Sequence, residues 1–448
     1  MRKYPNEFSA TPANNLRCQL CEVDVKYDKT FNVDSHRSTQ KHKDGLRRQS
    51  EAPTTSRQTF IEAPTSFSEL VVSSFLAADI PLKKLSHPAI RRLFAEAGKT
   101  LPSESAARNM VTQIADREID RLKENVANKK VFLIVDEAEV ASVKYINSII
   151  GDIDRPSITY LAQCKVLEDN PNSQIVSQTV DDVLRMLDVD RKNFALLLTD
   201  SANYMKAAGR TLKELYPGLK QVTCLAHLLH NCAMRVRAYF TTIDVLIARL
   251  KAATIKNKER RNMFRDAQLP LPPDPVVTRW ATWLRAAFYY AEHLPAVREI
   301  VESWPEDGVL VMRAQEAIRN EQLACDLVRV VQYRPLIARL EKLEAATYTI
   351  EEAYSDICNM RFNDDPCQIR QYIDHRLTHG TDLIDIIEAK DNNVAPSTYA
   401  LLRKAQPTTA AVERSFSLLN KLLRKDRNFL PENVNKYILP FFNNRNEH

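Results

Sequence analysis

Glycine is scarce in this chain, with 7 residues in 448. There is no GxGxxG and no GKS or GKT, which rules out the Gly-rich backbone cradles that hold nucleotide phosphates. Long apolar runs are missing too: no stretch approaches the ~20 residues of a membrane span, so no membrane partner is expected. The opening MRKYPNEFSATPANN lacks the apolar core of a secretion signal. The eight cysteines are irregularly spread, which argues against a disulfide-stapled secreted scaffold. Nor is either sign of charge in great excess. The net +6 is uneven, however, because residues 1–60 hold eleven Lys and Arg against seven Asp and Glu. A basic end on a near-neutral body points to a polyanionic partner.

A chain of this length, 44% hydrophobic and 27% charged, reads as globular with room for two or three domains. The segment 49–65, rich in Ser, Thr and Pro, reads as a linker. Residues 66–129 are helical in pattern, opening on a capping box with Ser66 three residues before Glu69. The pattern then changes to short β-branched runs: VFLIV at 131–135, then VKYINSII and SITYLAQCKV. A helical VDDVLRMLDV follows, then the strand FALLL at 194–198, a helix from Ser201 and the strand KQVTC. Wholly apolar runs such as VFLIV and FALLL suit strands covered on both faces. The order of three strands, helix, strand, helix, strand resembles a ribonuclease-H-like core. The expected fold class is therefore α/β: a mixed sheet starting in 130–230, interrupted by an all-helical insertion over 231–405 and completed by 406–448.

The N-terminal segment 1–48 carries Cys18-x2-Cys21-x14-His36-x5-His42. Two thiolates and two imidazoles complete a tetrahedral shell around Zn2+ with no open position, so the expected role is structural. Residues six apart lie about 240° apart around an ideal helix, so the helix carrying His36 is expected to end or loosen before His42. Arg37, Lys41, Lys43, Arg47 and Arg48 line the same segment and suit phosphate contacts. The spacing resembles BED-like zinc fingers, in particular those of the CGG triplet-repeat-binding type, and implies DNA as the partner.

Asp136 stands at the end of the first strand and Asp200 at the end of the fourth, and Glu413 lies on a late helix. Either aspartate alone would be read as a cap or a turn. Five blocks make the pattern specific: the Asp136 strand, LLTDSANYMKAAG, CLAHLLHN, TRW, and AAVERSFS with LLRKDRNFLPENVNKYI. Together they resemble the hAT family of DNA transposases over roughly residues 66–442. The resemblance implies that Asp136, Asp200 and Glu413 meet at one rim of the sheet and hold Mg2+ or Mn2+ for strand cleavage and transfer. Hard oxygen ligands suit those ions. It further implies that His227, in Cys224-x2-His227, lies beside the site and contacts DNA, and that Arg279 and Trp280 contact DNA, with Trp280 stacking on an unpaired base; core packing is the competing account for Trp280. Trp283 reads better as core. A second zinc site with His230 and Cys232 is less favoured than packing. Lys256, Lys258, Arg260, Arg261 and Arg265 read as a phosphate stripe or a solvated face. The last helix is expected to expose Tyr437, Ile438, Phe441 and Phe442 for homodimerisation, burial within the subunit being the competing account. Nuclear action on DNA follows from the resemblance. The alternative is a transposase-derived DNA-binding regulator of transcription that no longer catalyses.

Overall fold

Five residues, Leu16, Cys18, Cys21, Val25 and Val33, make the whole buried apolar cluster of the first of two units, among the described residues. The computed structural model describes residues 8–10, 16–18, 21, 23–25, 30–43, 66–276, 281–305, 308–344, 348–390, 394–424 and 429–444. Contacts divide the chain into Met1–Thr65 and Ser66–His448. In the first unit, strands β1 (Phe8–Ala10), β2 (Leu16–Cys18) and β3 (Asp24–Val25) pair antiparallel in that order and precede helix α1 (Thr30–Arg37). So small a core is far below what a free-standing domain needs. Helix α1 stops where the histidine spacing requires: Ser38 Oγ donates to Ser35 O at 2.7 Å and Thr39 Oγ1 to His36 O at 2.7 Å. A fresh helical turn, residues 40–43, then presents His42.

In the second unit, α2 (Phe67–Ala77), α3 (Pro88–Glu96) and α4 (Glu104–Val126) precede the sheet. Half of the expected capping box forms. Ser66 Oγ accepts from Glu69 N at 3.3 Å, while the Glu69 carboxylate turns to Arg117.

The sheet has five strands, β4 (Val131–Val140), β5 (Val143–Asp152), β6 (Thr159–Leu167), β7 (Phe194–Thr199) and β8 (Lys220–Thr223), ordered β6-β5-β4-β7-β8. The β4–β5 and β5–β6 pairs are antiparallel, and β4–β7 and β7–β8 are parallel. Ala141 and Ser142, both at positive φ, make the two-residue turn between β4 and β5, as the twist of a tight hairpin demands. The parallel connections run through α5 (Ser173–Met186) and α6 (Asn203–Leu215). Leu133, Val135 and Leu197 face the cluster built with α5 and α6, whereas Phe132, Ile134, Leu196 and Leu198 face the helices that follow the sheet. Side chains alternate along a strand, so Asp136 falls on the Phe132–Ile134 face.

From α7 (Leu225–Tyr239) the chain is helical: α8 (Thr241–Thr254), α9 (Lys258–Asp266), α10 (Thr282–Glu302), α11 (Val309–Arg319), α12 (Glu321–Val330), α13 (Arg334–Glu344), α14 (Ile350–Cys358), α15 (Ile369–Thr378), α16 (Leu383–Glu388) and α17 (Pro396–Lys404). No strand occurs among the described residues of this stretch. Helix α7 crosses residue 230 unbroken, so the helical block grows directly out of β8. Helices α18 (Ala410–Leu422) and α19 (Val434–Asn443) return to the sheet, α18 on β4 and β5 and α19 on β6.

Both sheet edges are capped by side chains from distant segments. On β6, Asn443 Oδ1 accepts from Leu161 N at 2.8 Å, its Nδ2 donates to Leu161 O at 3.1 Å, and Asn435 Oδ1 accepts from Cys164 N at 2.7 Å. On β8, Asp382 Oδ2 accepts from Gln221 N at 2.6 Å, and Asp382 N donates back to Gln221 O at 2.8 Å. Unpaired edge groups invite intermolecular strand pairing, and these amides and carboxylates occupy them. The last helix thereby departs from expectation. Ile438, Phe441 and Phe442 are buried and Tyr437 is half-buried in their own subunit. A helix apolar on most sides inserts against β6, α4 and α2 instead of presenting a dimer face. No described helix is long and apolar enough to cross a membrane.

Candidate functional site

Asp136, His227 and Glu413 meet at the rim of the sheet, each offering a ligand atom within 4.8 Å of the others. Asp136 arrives from β4, His227 from the first turn of α7 and Glu413 from the first turn of α18. Five contacts fix the arrangement. Cross-strand from Asp136 stands Asn147, whose Nδ2 donates to Ser415 Oγ at 2.7 Å and so pins α18 to the sheet. Cys224 N donates to Thr199 O at 2.7 Å, setting the start of α7 on β7. Cys224 Sγ accepts from Thr409 N at 3.2 Å and from Thr409 Oγ1 at 3.3 Å, and Thr409 Oγ1 lies 3.4 Å from His227 Nδ1. The far nitrogen, His227 Nε2, is 3.9 Å from Glu413 Oε1.

Electrostatically the rim is under-compensated. Burial, with the Asp200 and Glu413 charges adding to it, pushes the Asp136 carboxyl up to about 7 against the pull of His227. Burial likewise lifts Glu413 to about 7, and Glu413 Oε1 is buried without a hydrogen-bond partner. For His227, burial acts downward, but Cys224, Asp136 and Glu413 outweigh it and hold the imidazole at about 10. Side-chain exposures of 26% for His227 and 35% for Glu413 keep the rim open on one side.

Asp200 is not in this group within 4.8 Å. Its Oδ1 accepts from Ala202 N at 3.0 Å, ahead of α6, while its charge still reaches Asp136. Glu137 is half-buried and hydrogen-bonded to Tyr204, whereas Glu139 is exposed. His230 and Cys232 form no second metal cluster among the described residues. His230 Nδ1 accepts from Ala281 N at 3.3 Å, and Cys232 is core. Trp283 is core too, with Nε1 donating to Asp244 Oδ1 at 2.8 Å. Arg279 and Trp280 lie outside the described residues. In the suggested phosphate stripe, Arg260 is committed to its own subunit, lying over the Trp304 ring and donating to Ala253 O at 3.0 Å. Lys256, Lys258 and Arg265 are exposed.

A basic group that the sequence reading missed lies near Asp200, whose charge reaches Lys206. Lys206 and Arg210 share one face of α6 at i and i+4, and Arg376 comes from the last turn of α15. Burial and the Arg376 and Arg210 charges hold the Lys206 ammonium below the ordinary lysine range. Neighbouring cations on these segments are paired: Lys213 with Asp382 at 2.7 Å, and Arg370 with Asp374. Gly380, at φ +74, leaves room for Lys206, whose Nζ lies 3.0 Å from where a Cβ there would stand. The helix pattern from Ser201 could have revealed the i, i+4 pair, but nothing in the sequence brings Arg376 to it.

In the first unit, Cys18, Cys21, His36 and His42 form a cluster that could hold a metal ion such as zinc. His42 Nδ1 is 3.4 Å from Cys18 Sγ and 3.7 Å from Cys21 Sγ. A tetrahedral zinc with ~2.3 Å sulfur and ~2.1 Å nitrogen bonds separates such ligands by about 3.6 Å, so the donor set fits. Lys41 and Lys43 are exposed and Arg37 is half-buried; Arg47 and Arg48 lie outside the described residues.

No model of a known protein family matches the chain, and a search of curated proteins returns no match either.

Proposed function

We propose that the chain is a DNA-binding protein of the hAT transposase type. In this reading it cleaves and transfers DNA strands with divalent cations held at the rim by Asp136 and Glu413, with Asp200 near enough for its charge to reach Asp136. The observation that carries the reading is the convergence of Asp136 and Glu413, from opposite ends of the second unit, on one rim of a mixed five-stranded sheet. The strand order and pairing support the ribonuclease-H-like assignment. The donor set suits the implied ion: hard oxygens, a buried Glu413 oxygen with no hydrogen-bond partner, and two carboxyls raised chiefly by burial. When bound, Mg2+ or Mn2+ supplies Lewis acidity and a more acidic bound water or hydroxyl. The protein's own part is placement. Asn147 and Ser415 hold the Glu413 helix, Thr409 and Cys224 orient His227, and Lys206, Arg210 and Arg376 seat the phosphate backbone. The zinc finger, with Lys41 and Lys43, adds a second DNA contact, in keeping with action in the nucleus. Any homodimer uses a surface other than Ile438, Phe441 and Phe442.

A second reading, a DNA-binding regulator without catalysis, is favoured by one observation. The rim can balance its own charge, with His227 facing both carboxyls and Asp200 accepting from its own turn. Selecting tight-binding duplexes from a randomised pool, then incubating them with Mn2+ or Mg2+, separates the two. Strand cleavage by the wild type and none by Asp136→Asn, at equal DNA affinity, supports the transposase reading. Selected duplexes that stay intact with both proteins turn the conclusion to the regulator.

A further inference from the structure

We infer that His227 Nε2 is itself a metal ligand, so that Asp136, His227 and Glu413 form a mixed nitrogen and oxygen set that prefers Mn2+ to Mg2+. The inference rests on the reading that a cation occupies this rim, and its test separates the two. Geometry comes first. An octahedral ion with ~2.1 Å bonds holds its ligands about 3.0 Å apart when adjacent and 4.2 Å when opposite. The His227–Glu413 separation of 3.9 Å falls inside that range, and the 4.8 Å limit on the trio lies well under an ångström outside it.

The ring is also oriented for the task. Its Nδ1 edge faces Thr409 Oγ1 and the Cys224 thiol, which turns Nε2 towards the carboxyls. A metal-bound imidazole is commonly held in this way through its other nitrogen. Cys224 is 1% exposed and already bonded to Thr409, so its place is behind the histidine. Donor chemistry then sets the preference. Mg2+ keeps its waters and takes oxygen, whereas Mn2+ lies higher in the affinity order for nitrogen and oxygen ligands. The competing account is an imidazolium that only balances the two carboxyls.

Pulsed EPR of Mn2+ added to the full chain, carrying one equivalent of zinc and 15N-labelled histidine, decides between them without DNA or catalysis. The expected result is a histidine nitrogen coupling on bound Mn2+, lost in His227→Gln. Mn2+ should also bind the wild type at least about tenfold more tightly than Mg2+, and His227→Gln should weaken Mn2+ binding by about 10–100-fold while barely touching Mg2+. Bound Mn2+ without nitrogen coupling overturns the inference and leaves the cation site standing. Absence of Mn2+ binding, with Asp136→Asn indistinguishable from wild type, overturns both. The wild-type spectrum decides the matter even if the variant folds poorly.

Discussion

Replacing Asp136 with asparagine should stabilise the second unit when no divalent cation is present at the rim, by an amount that grows as pH rises towards 7. Asp136 is 8% exposed and its carboxyl is raised from 3.8 to about 7. Between those values the folded state keeps a proton that the unfolded chain releases, so folding stability falls as pH rises and levels off above about 7. Some 3 pK steps correspond to about 4 kcal/mol. Asparagine removes that cost and keeps an oxygen for the Glu137 N–H, now 2.9 Å from Asp136 Oδ1. The value of about 7 already includes the pull of His227, so the gain should be about 4 kcal/mol at pH 8 and about 1 kcal/mol at pH 4.5. Urea unfolding followed by tryptophan fluorescence is suited to this, because all three tryptophans, 280, 283 and 304, lie in the second unit. Added Mn2+ should then stabilise the wild type by about 2.7 kcal/mol at a hundred times its dissociation constant and leave the variant unmoved. A variant that loses stability at pH 8, or gains equally at both pH values, would refute the reasoning and make Asp136 a structural anchor.

Cys18→Ser, or chelation, should remove zinc from the first unit and with it folding free energy on the order of 10 kcal/mol. Limited proteolysis should then open residues 8–43 while the urea midpoint of the second unit stays put. Lys206→Ala, Arg210→Ala and Arg376→Ala should each reduce the slope of log affinity for duplex DNA against log salt by about 0.9. Unchanged slopes would remove these residues from the DNA path. Asn443→Ala strips partners from the Leu161 N–H and C=O and should cost about 2 kcal/mol, read as a lower urea midpoint with an unchanged slope.

Runs such as VFLIV and FALLL could be read as strands because a strand covered on both faces has no polar alternation to blur it. The break in the finger helix was legible from geometry, since six residues do not bring two imidazoles to one helical face. Asp136 was legible for the same reason as its strand, standing where the apolar run ends. The place of His227 beside the site was legible only through the Cys224-x2-His227 motif; that its Nε2 faces the carboxyls was not, because its helix is apolar on nearly every side and periodicity gives no direction. Nor could the fate of the last helix be read: Ile438, Phe441 and Phe442 suit a dimer seam and a buried plug equally well, and only the sheet they meet decides. The Lys206–Arg210–Arg376 group depends on α15 reaching α6, which no local pattern encodes.

The amide clasp on β6 has a bearing on how the protein is made. Leu161 waits for Asn443, 282 residues further along, so a ribosome exposes that strand long before it delivers its cover. Over the same interval Glu413 has yet to appear, and the rim stays incomplete. A nascent molecule thus carries an open strand edge until the far segment emerges, and over that interval the edge favours self-association.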